Sequence, residues 1–219
     1  MSIHLHKEIK KTEKRLLALS ALVEDAVRRA VNSFILGDSS LAEGVISSDS
    51  SIDSLEIDVE EDCLKILALH QPVAIDLRFI VAILKINSDL ERIGDHAVSI
   101  AKRTLLIDSL KLSDVQEPFS FDKLIDESIK LLNKSIDALI KHDSELAYSV
   151  IDMEKDIIEE KRAIYKKFIE ATKENPQDIE YNSAYLFVSR SVERIAEHAF
   201  NIAEDVIYMI NGEIIRHKG

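Results

Sequence analysis

The chain has 219 residues and a formal net charge of −12, from 40 acidic against 28 basic side chains. Nucleic-acid binders usually carry a basic face, so this balance argues against a nucleic-acid partner. Only five glycines and three prolines are available for turns, and the abundance of Leu, Ile, Ala, Glu and Lys favours long helices over an all-β fold.

Six helices are predicted, separated by turns and capping residues. Asp38 and Asp143 each follow a turn and are expected to cap the second and fifth helices. Pro72 and Pro176 are expected in the first turns of the third and sixth helices. In chain order, the predicted helices are 4–36, 39–70, 73–111, 120–141, 144–173 and 177–211. The connections between them are short, so sequential helices should be antiparallel.

The chain repeats one structural unit. The segments Leu90–Ala97 and Val192–Ala199 are nearly the same and lie 102 residues apart, and the turns and prolines recur at offsets up to 105. We therefore predict an all-α fold of two tandem three-helix bundles related by a pseudo-twofold, spanning 1–112 and 119–211. Each half is long enough to hold its own core.

No segment is predicted to cross a membrane. The most apolar stretch, Phe79 to Leu84, is far shorter than the ~20 residues that span a bilayer. The N-terminal residues also lack the apolar run of a signal peptide, so a cytoplasmic location is expected.

A helical wheel divides the repeated motif into a core seam and two flanks. The predicted seam residues are Leu90, Ile93, Ala97, Ile100 and their equivalents Val192, Ile195, Ala199, Ile202. The acidic flank carries Glu91 and Asp95 in the first half, and Glu193 and Glu197 in the second. The opposite flank carries Arg92 and His96 in the first half, and Arg194 and His198 in the second.

A second acidic pattern lies on the second helix of each half. Asp49 and Asp53 recur 103 residues later as Asp152 and Asp156. If this helix packs beside the helix with the repeated motif, each half gathers two carboxylate pairs. Such a cluster needs a cation, an arginine or raised pKa values, and oxygen ligands suit Mg²⁺, Mn²⁺, Ca²⁺ or ferric iron.

Simpler interpretations of these residues remain open. Acidic pairs on helices can be solvated faces, the two arginines can brace a neighbouring helix, and the two histidines can be structural. Catalytic templates fit poorly, because the chain has no glycine-rich phosphate loop and no His-Glu-x-x-His motif. We expect no catalytic residues and no enzymatic activity.

Two motifs, in this order and spacing along the chain, resemble those of the PhoU family of phosphate-signalling regulators. Gln71–Arg78 reads Gln-Pro-Val-Ala-Ile-Asp-Leu-Arg, and Asp89–Ala97 reads Asp-Leu-Glu-Arg-Ile-Gly-Asp-His-Ala. The similarity covers the whole chain, including its length and duplication. In the second half, Glu197 stands where the family pattern has aspartate, and no arginine matches Arg78.

The resemblance implies a cytoplasmic homodimer that acts between the phosphate-specific ABC transporter and the sensor histidine kinase of the phosphate two-component system. It would repress phosphate-starvation signalling, restrain phosphate uptake and reach the membrane only through its partners, the ATPase subunit and the kinase. Asp76, Arg78, Arg92, His96, Arg194 and His198 would be structural or partner contacts. Some family members bind iron or other metal ions, and the ligands carried over are Asp49, Asp53, Glu91, Asp95, Asp152, Asp156, Glu193 and Glu197.

Three functions are weighed. The leading hypothesis is this non-enzymatic regulator. A metal store or metal-dependent enzyme built on the carboxylate clusters is the alternative. A helical assembly module with acidic, solubilising faces is the third.

Overall fold

The computed structural model describes residues 3–110 and 117–215, and within these ranges the chain is helical with no strand. The elements are α1 (Ile3–Leu36), α2 (Ser39–His70), α3 (Ile75–Ser109), α4 (Asp122–Lys141), α5 (Ser144–Ile151), α6 (Glu154–Glu174), a 3-10 turn (Pro176–Asp178) and α7 (Ile179–Asn211). Helices α1, α2 and α3 pack as one bundle, and α4 to α7 pack as the second. The predicted fold class is confirmed. The predicted third-helix end at 111 and domain limits at 1 and 112 lie outside the described residues.

Both predicted aspartate caps are present. The Asp38 carboxylate accepts a hydrogen bond from the Leu41 amide at 2.9 Å, and Asp143 accepts one from Leu146 at 3.0 Å. Each bond satisfies an amide that has no partner within the helix, which contributes about 1 kcal/mol. The caps therefore fix equivalent starting points for α2 and α5, 105 residues apart.

The third helix begins two residues later than predicted. Gln71 ends α2 in the left-handed region with φ 46°, and Ala74 also has a positive φ of 50°. Neither residue has right-handed helical dihedrals, so Pro72 belongs to the connection and α3 starts at Ile75. Pro176, in contrast, begins the 3-10 turn that leads into α7.

The predicted fifth helix is interrupted at Asp152 and Met153, which separate α5 from α6. Both residues keep right-handed dihedrals, and the Met153 amide donates to the Val150 carbonyl at 3.1 Å in a tightened turn. Neither glycine nor proline marks this break in the sequence. The turn keeps the core register, because Val150 and Ile157 on either side of it are both buried.

The two bundles join along α3 and α7, which run antiparallel. The Arg78 guanidinium donates to the Met209 carbonyl at 3.2 Å near one end, and Arg103 lies 4.6 Å from the Phe187 ring near the other. Buried residues from both halves form one continuous hydrophobic cluster. No helix in the described ranges combines the length and apolar character needed to cross a bilayer.

Candidate functional site

The repeated motif lies on α3 and α7 with its apolar side buried as predicted. All eight predicted seam residues are buried: Leu90, Ile93, Ala97, Ile100, Val192, Ile195, Ala199 and Ile202. In the first half, Glu91 is half-buried and Asp95 is exposed beside this seam. In the second half, Glu193 is buried and Glu197 is half-buried. The candidate site is therefore the ridge along each motif helix where it meets its neighbour.

In the first half, α2 and α3 bring the two acidic pairs together. Burial and the charges of Asp53 and Asp95 raise the pKa of Asp49. Burial, and then the charge of Asp95, likewise raises the pKa of Glu91, with smaller contributions from Glu56 and Asp53. Carboxylates from both helices thus repel one another across the α2–α3 contact.

Two residues of α3, Gly94 and Asn87, determine how closely α2 packs against it. A Cβ on Gly94 would lie 3.2 Å from the Ile52 side chain and 4.0 Å from the Asp49 carboxylate, so glycine permits the close approach. The buried Asn87 amide donates to both the backbone carbonyl and the carboxylate of Glu56, each at 3.0 Å. Glu56 is consequently fixed beside the acidic cluster.

These carboxylates supply the ligand type that a hard cation prefers, and their repulsion would be relieved by one. The first half therefore fits a cation in its chemistry. In the described ranges, however, no group of three or more histidine, cysteine or carboxylate side chains is arranged as a ready metal site.

The second half has a different register from the one predicted. Between α2 and α5–α6, buried residues correspond at a constant offset of 105: Ala42 with Ala147, Val45 with Val150, Ile52 with Ile157, and Val59 with Ile164. At this offset the equivalents of Asp49, Asp53 and Glu56 are Glu154, Ile158 and Lys161. Asp152 and Asp156, matched at 103, are not the structural equivalents of the first-half pair.

Lys161 occupies the position equivalent to Glu56 and forms an ion pair with an acid of α7. Its ammonium group bonds the buried Glu193 carboxylate and lies 4.0 Å from Glu197. Burial raises the pKa of Glu193, and the Lys161 bond and charge oppose that rise. Three of these residues line a cleft of about 520 Å³ between α6 and α7, together with Glu154 and Ile158. Lys161 thus balances the charge of Glu193, and Arg194 bonds Glu197, so a metal ion here would have to displace both cations. The role of the two glutamates as metal ligands stays a prediction.

Asp152 and Asp156 are exposed on the surface of the second bundle. Asp156 lies toward α4, where its charge is among the causes that raise the pKa of Lys123. Lys123 itself bonds Glu160 of α6. Neither aspartate lines the cleft that contains Glu193 and Glu197. Their role as metal ligands stays a prediction.

The motif arginines pair with acids of their own helices. Arg92 lies 3.4 Å from the Glu91 carboxylate and 3.2 Å from that of Asp95, and Arg194 bonds Glu197. They do not brace a neighbouring helix in these contacts. In the first half the guanidinium partly offsets the carboxylate repulsion, and it would compete with any cation at Asp95.

The motif histidines meet each other at the α3–α7 contact. The His96 and His198 rings are 5.6 Å apart, which places the pseudo-twofold close to them. His198 Nδ1 lies 2.7 Å from the Asp89 carboxylate, which also accepts a bond from Asn201 at 3.0 Å. Burial, and then the charge of His198, lowers the pKa of His96 to about 4. Sequence reasoning missed Asp89 and Asn201, because pairing across the halves leaves no spacing pattern.

Asp76 and Arg78, at the start of α3, are separate from the acidic ridge. Asp76 is in the first turn of α3, where a carboxylate faces the positive end of the helix dipole. The Arg78 guanidinium bonds the Met209 carbonyl and covers Gly212 at the end of α7. Arg78 is thus a contact between the two bundles.

Comparison with known proteins identifies the family of the fold and its motifs. The family model described as the PhoU domain matches twice, over residues 16–104 and 121–206. A phosphate-specific transport system accessory protein PhoU homolog from Pseudomonas putida is 35% identical, over 100% of this chain and 85% of the relative.

Solved structures give the same answer. The crystal structure of PhoU from Pseudomonas aeruginosa is similar with a TM-score of 0.90 and 34% identity, covering 95% of this chain and 99% of that one. The crystal structure of the phosphate transport system regulatory protein PhoU from Streptococcus pneumoniae has a TM-score of 0.84 and 28% identity. The similarity covers 96% of this chain and 99% of that one.

Proposed function

This chain belongs to the PhoU family, and we propose on that basis that it is a non-enzymatic regulator of phosphate homeostasis. It acts in the cytoplasm as a homodimer, linking the phosphate-specific ABC transporter to the sensor histidine kinase. When phosphate is plentiful it keeps starvation signalling off and restrains uptake.

The observation that carries this proposal is likeness over the full length to proteins named as accessory proteins of the phosphate-specific transport system. The absence of the catalytic templates considered above agrees with a role in binding. Arg92, Asp95 and Arg194 are exposed on α3 and α7 and provide charged surface for partners, while the apolar seam beneath them is used by the core.

A gene deletion tests the regulatory role. In phosphate-rich medium, loss of the chain should switch on a phosphate-starvation reporter, and expression from a plasmid should switch it off again. Unchanged reporter activity in the deletion strain would contradict the proposal. The medium without phosphate is the control, because the reporter should be active there in both strains.

Affinity capture tests the partners. The tagged chain from phosphate-replete cells should retain the transporter's ATPase subunit or the cytoplasmic region of the kinase. A tagged, unrelated acidic helical protein is the matched control for non-specific capture. Recovery of neither partner, together with a normal deletion phenotype, would leave only the helical assembly module.

A second candidate function is cation binding by the first half. The repulsion that raises the pKa of Asp49 and Glu91 favours it, since a bound cation would stabilise both ionised carboxylates. Asp49, Asp53, Glu91 and Asp95 would hold the ion. Its proposed effect is to neutralise the α2–α3 contact, and no catalytic step is attached to it.

Titration with Mn²⁺, followed by calorimetry and metal analysis, tests this candidate. We expect one cation per chain, because Lys161 already neutralises the equivalent position of the second half. Asp49→Asn should weaken binding at least about tenfold, whereas the exposed Asp126→Asn on α4 should not. Equal losses in both variants would mean diffuse charge attraction, and two ions per chain would contradict the neutralising role of Lys161.

A further inference from the structure

The outer faces of α2 and α6 are equivalent in the repeat but opposite in charge. On α2, the acids Glu60 and Glu61 are exposed, Glu61 pairing with Lys65 one turn further on, and their equivalents on α6 are Tyr165 and Lys166. Ile57, at the centre of the α2 face, corresponds to Arg162. At these compared positions, α2 is therefore acidic or apolar, whereas α6 carries two basic side chains.

The basic counterpart is the rim of a groove between α4, α6 and α7. The groove has a volume of about 550 Å³ and an apolar floor that includes Leu124, Ile164 and Leu186. Its rim carries Arg162, Lys166 and Arg190, which are exposed and form no ion pair with any described residue. Unpaired cations around an apolar floor, on a chain with net charge −12, suit an acidic amphipathic helix.

Such a helix is present in the chain itself. Ile57 and Leu64 of α2 are each 53% exposed and seven residues apart, so they lie on one face of the helix. Asp53 and Glu60 flank them on one side, and Glu61 flanks them on the other. The exposed face of α2 thus carries an apolar pair bordered by carboxylates, which matches the apolar floor and basic rim of the groove.

We propose that two copies of this chain associate by packing the outer face of α2 from each copy into the groove between α4, α6 and α7 of the other. If a true twofold axis relates the copies, the contact of one copy's α2 with the other's groove is made twice in one isologous interface. Once the first contact has formed, the second forms within the same complex, so two individually modest contacts together give a stable dimer. The inference rests on the proposed homodimer and assigns its surface.

Charge reversal on one face at a time tests the surface, with mass measured by light scattering and sedimentation. Arg162→Glu with Lys166→Glu makes both faces acidic, and Glu60→Lys with Glu61→Lys makes both basic. Each variant should dissociate about 100-fold more readily than the wild-type dimer, because like charges would meet at both contacts. Lys10→Glu with Lys130→Glu, on exposed positions of α1 and α4, is the matched control and should stay dimeric.

Mixing the two variants gives the decisive measurement. The variant with two acidic faces and the variant with two basic faces should form a heterodimer in a 1:1 mixture, although neither associates alone. Formation of the heterodimer would also show that both variants are folded. Raising the salt concentration should weaken the wild-type dimer and the heterodimer alike.

The outcomes separate this surface from the wider proposal. A monomeric wild type would overturn the homodimer and this surface together. Dimers that persist in both variants would keep the homodimer but overturn the α2–groove contact. A monomer whose groove binds a synthetic acidic amphipathic peptide would assign the groove to another partner. The reporter assay tests the regulatory role independently of all three.

Discussion

Lys161 shows how one side chain changes what a repeated motif can do. Both halves carry a glutamate and a second acid on the motif helix, but the first half faces them with carboxylates and the second half with an ammonium group. The acidic residues were visible in the sequence. Their partners depended on a register that two competing offsets, 103 and 105, left ambiguous.

Removing Lys161 should destabilise the protein. Lys161→Met leaves the Glu193 carboxylate, whose side chain is only 8% exposed, without its cation. We expect the free energy of unfolding to fall by about 2 kcal/mol, less than for a fully buried pair because the lysine is half-exposed. Urea denaturation measures this change.

Two further variants give the contrast for Lys161. Glu193→Gln in the Lys161→Met background should recover most of the lost stability, since no buried charge then remains. The exposed Lys155→Met should have little effect. A loss as large in Lys155→Met, or no recovery in the double variant, would contradict the ion-pair explanation.

His96 should make the stability depend on pH. Its pKa is lowered to about 4 in the folded protein, from 6.5, so the unfolded chain takes up the proton first as the pH falls. The stability that the folded protein gains from keeping His96 neutral is therefore fully present above pH 6.5 and is lost as the pH drops toward 4. For a fully buried histidine, this change in pKa would correspond to roughly 3 kcal/mol of unfolding free energy. His96 is partly exposed to solvent, so we expect about 2 kcal/mol.

The comparison with His96→Gln isolates this contribution from the carboxylates. The stability difference between wild type and His96→Gln should be constant above pH 6.5 and should shrink as the pH falls to about 4. Denaturation at a series of pH values measures it. A difference that does not vary with pH would show that burial of His96 has no effect on its titration.

At the scale of elements, six helices could be predicted because capping residues, prolines and apolar periodicity agree. The interruption between α5 and α6 could not, since the turn at Asp152 and Met153 contains no helix-breaking residue. The late start of α3 was equally hidden, because a positive φ at Ala74 is set by the path of the connection.

The α2–α3 contact depends on Gly94. A valine there would press against Ile52, which already lies 3.2 Å from an added Cβ, so Gly94→Val should cost about 2 kcal/mol. Thermal unfolding followed by circular dichroism measures this loss. The separated helices should also bind Mn²⁺ less well if the first-half carboxylates act together.

Gly44 of α2 provides the matched control. An added Cβ there meets only the end of the flexible Arg29 side chain, which can move aside. Gly44→Val should therefore be nearly neutral or slightly stabilising, because valine is the better helix former. Equal destabilisation by the two substitutions would contradict the explanation that close packing against Ile52 makes Gly94 special.

At the scale of the whole molecule, the two halves are joined by one continuous core. Lys85 reaches the buried Asp205 at 3.2 Å, and Asp89 holds His198 and Asn201 of the opposite half. Helices α3 and α7 pack against each other, and buried residues of both belong to the same cluster.

Unfolding should accordingly be a single transition. Differential scanning calorimetry should give a van't Hoff enthalpy close to the calorimetric one, as for a two-state protein. Asp89→Ala should lower the midpoint of this one transition without splitting it. Two separated transitions would show that the halves are energetically independent.

By itself, the sequence determined the helical class, the duplication, both caps, the buried seam and the acidic flank of the first half. These follow from periodicity and local hydrogen bonding, which depend on neighbours along the chain. Tertiary structure decided which side chains face one another, such as Lys161 against Glu193 and Asp89 against His198. Such pairs depend on how helices distant in sequence align, and a shift of two residues in a helix rotates a side chain by about 200° to another face.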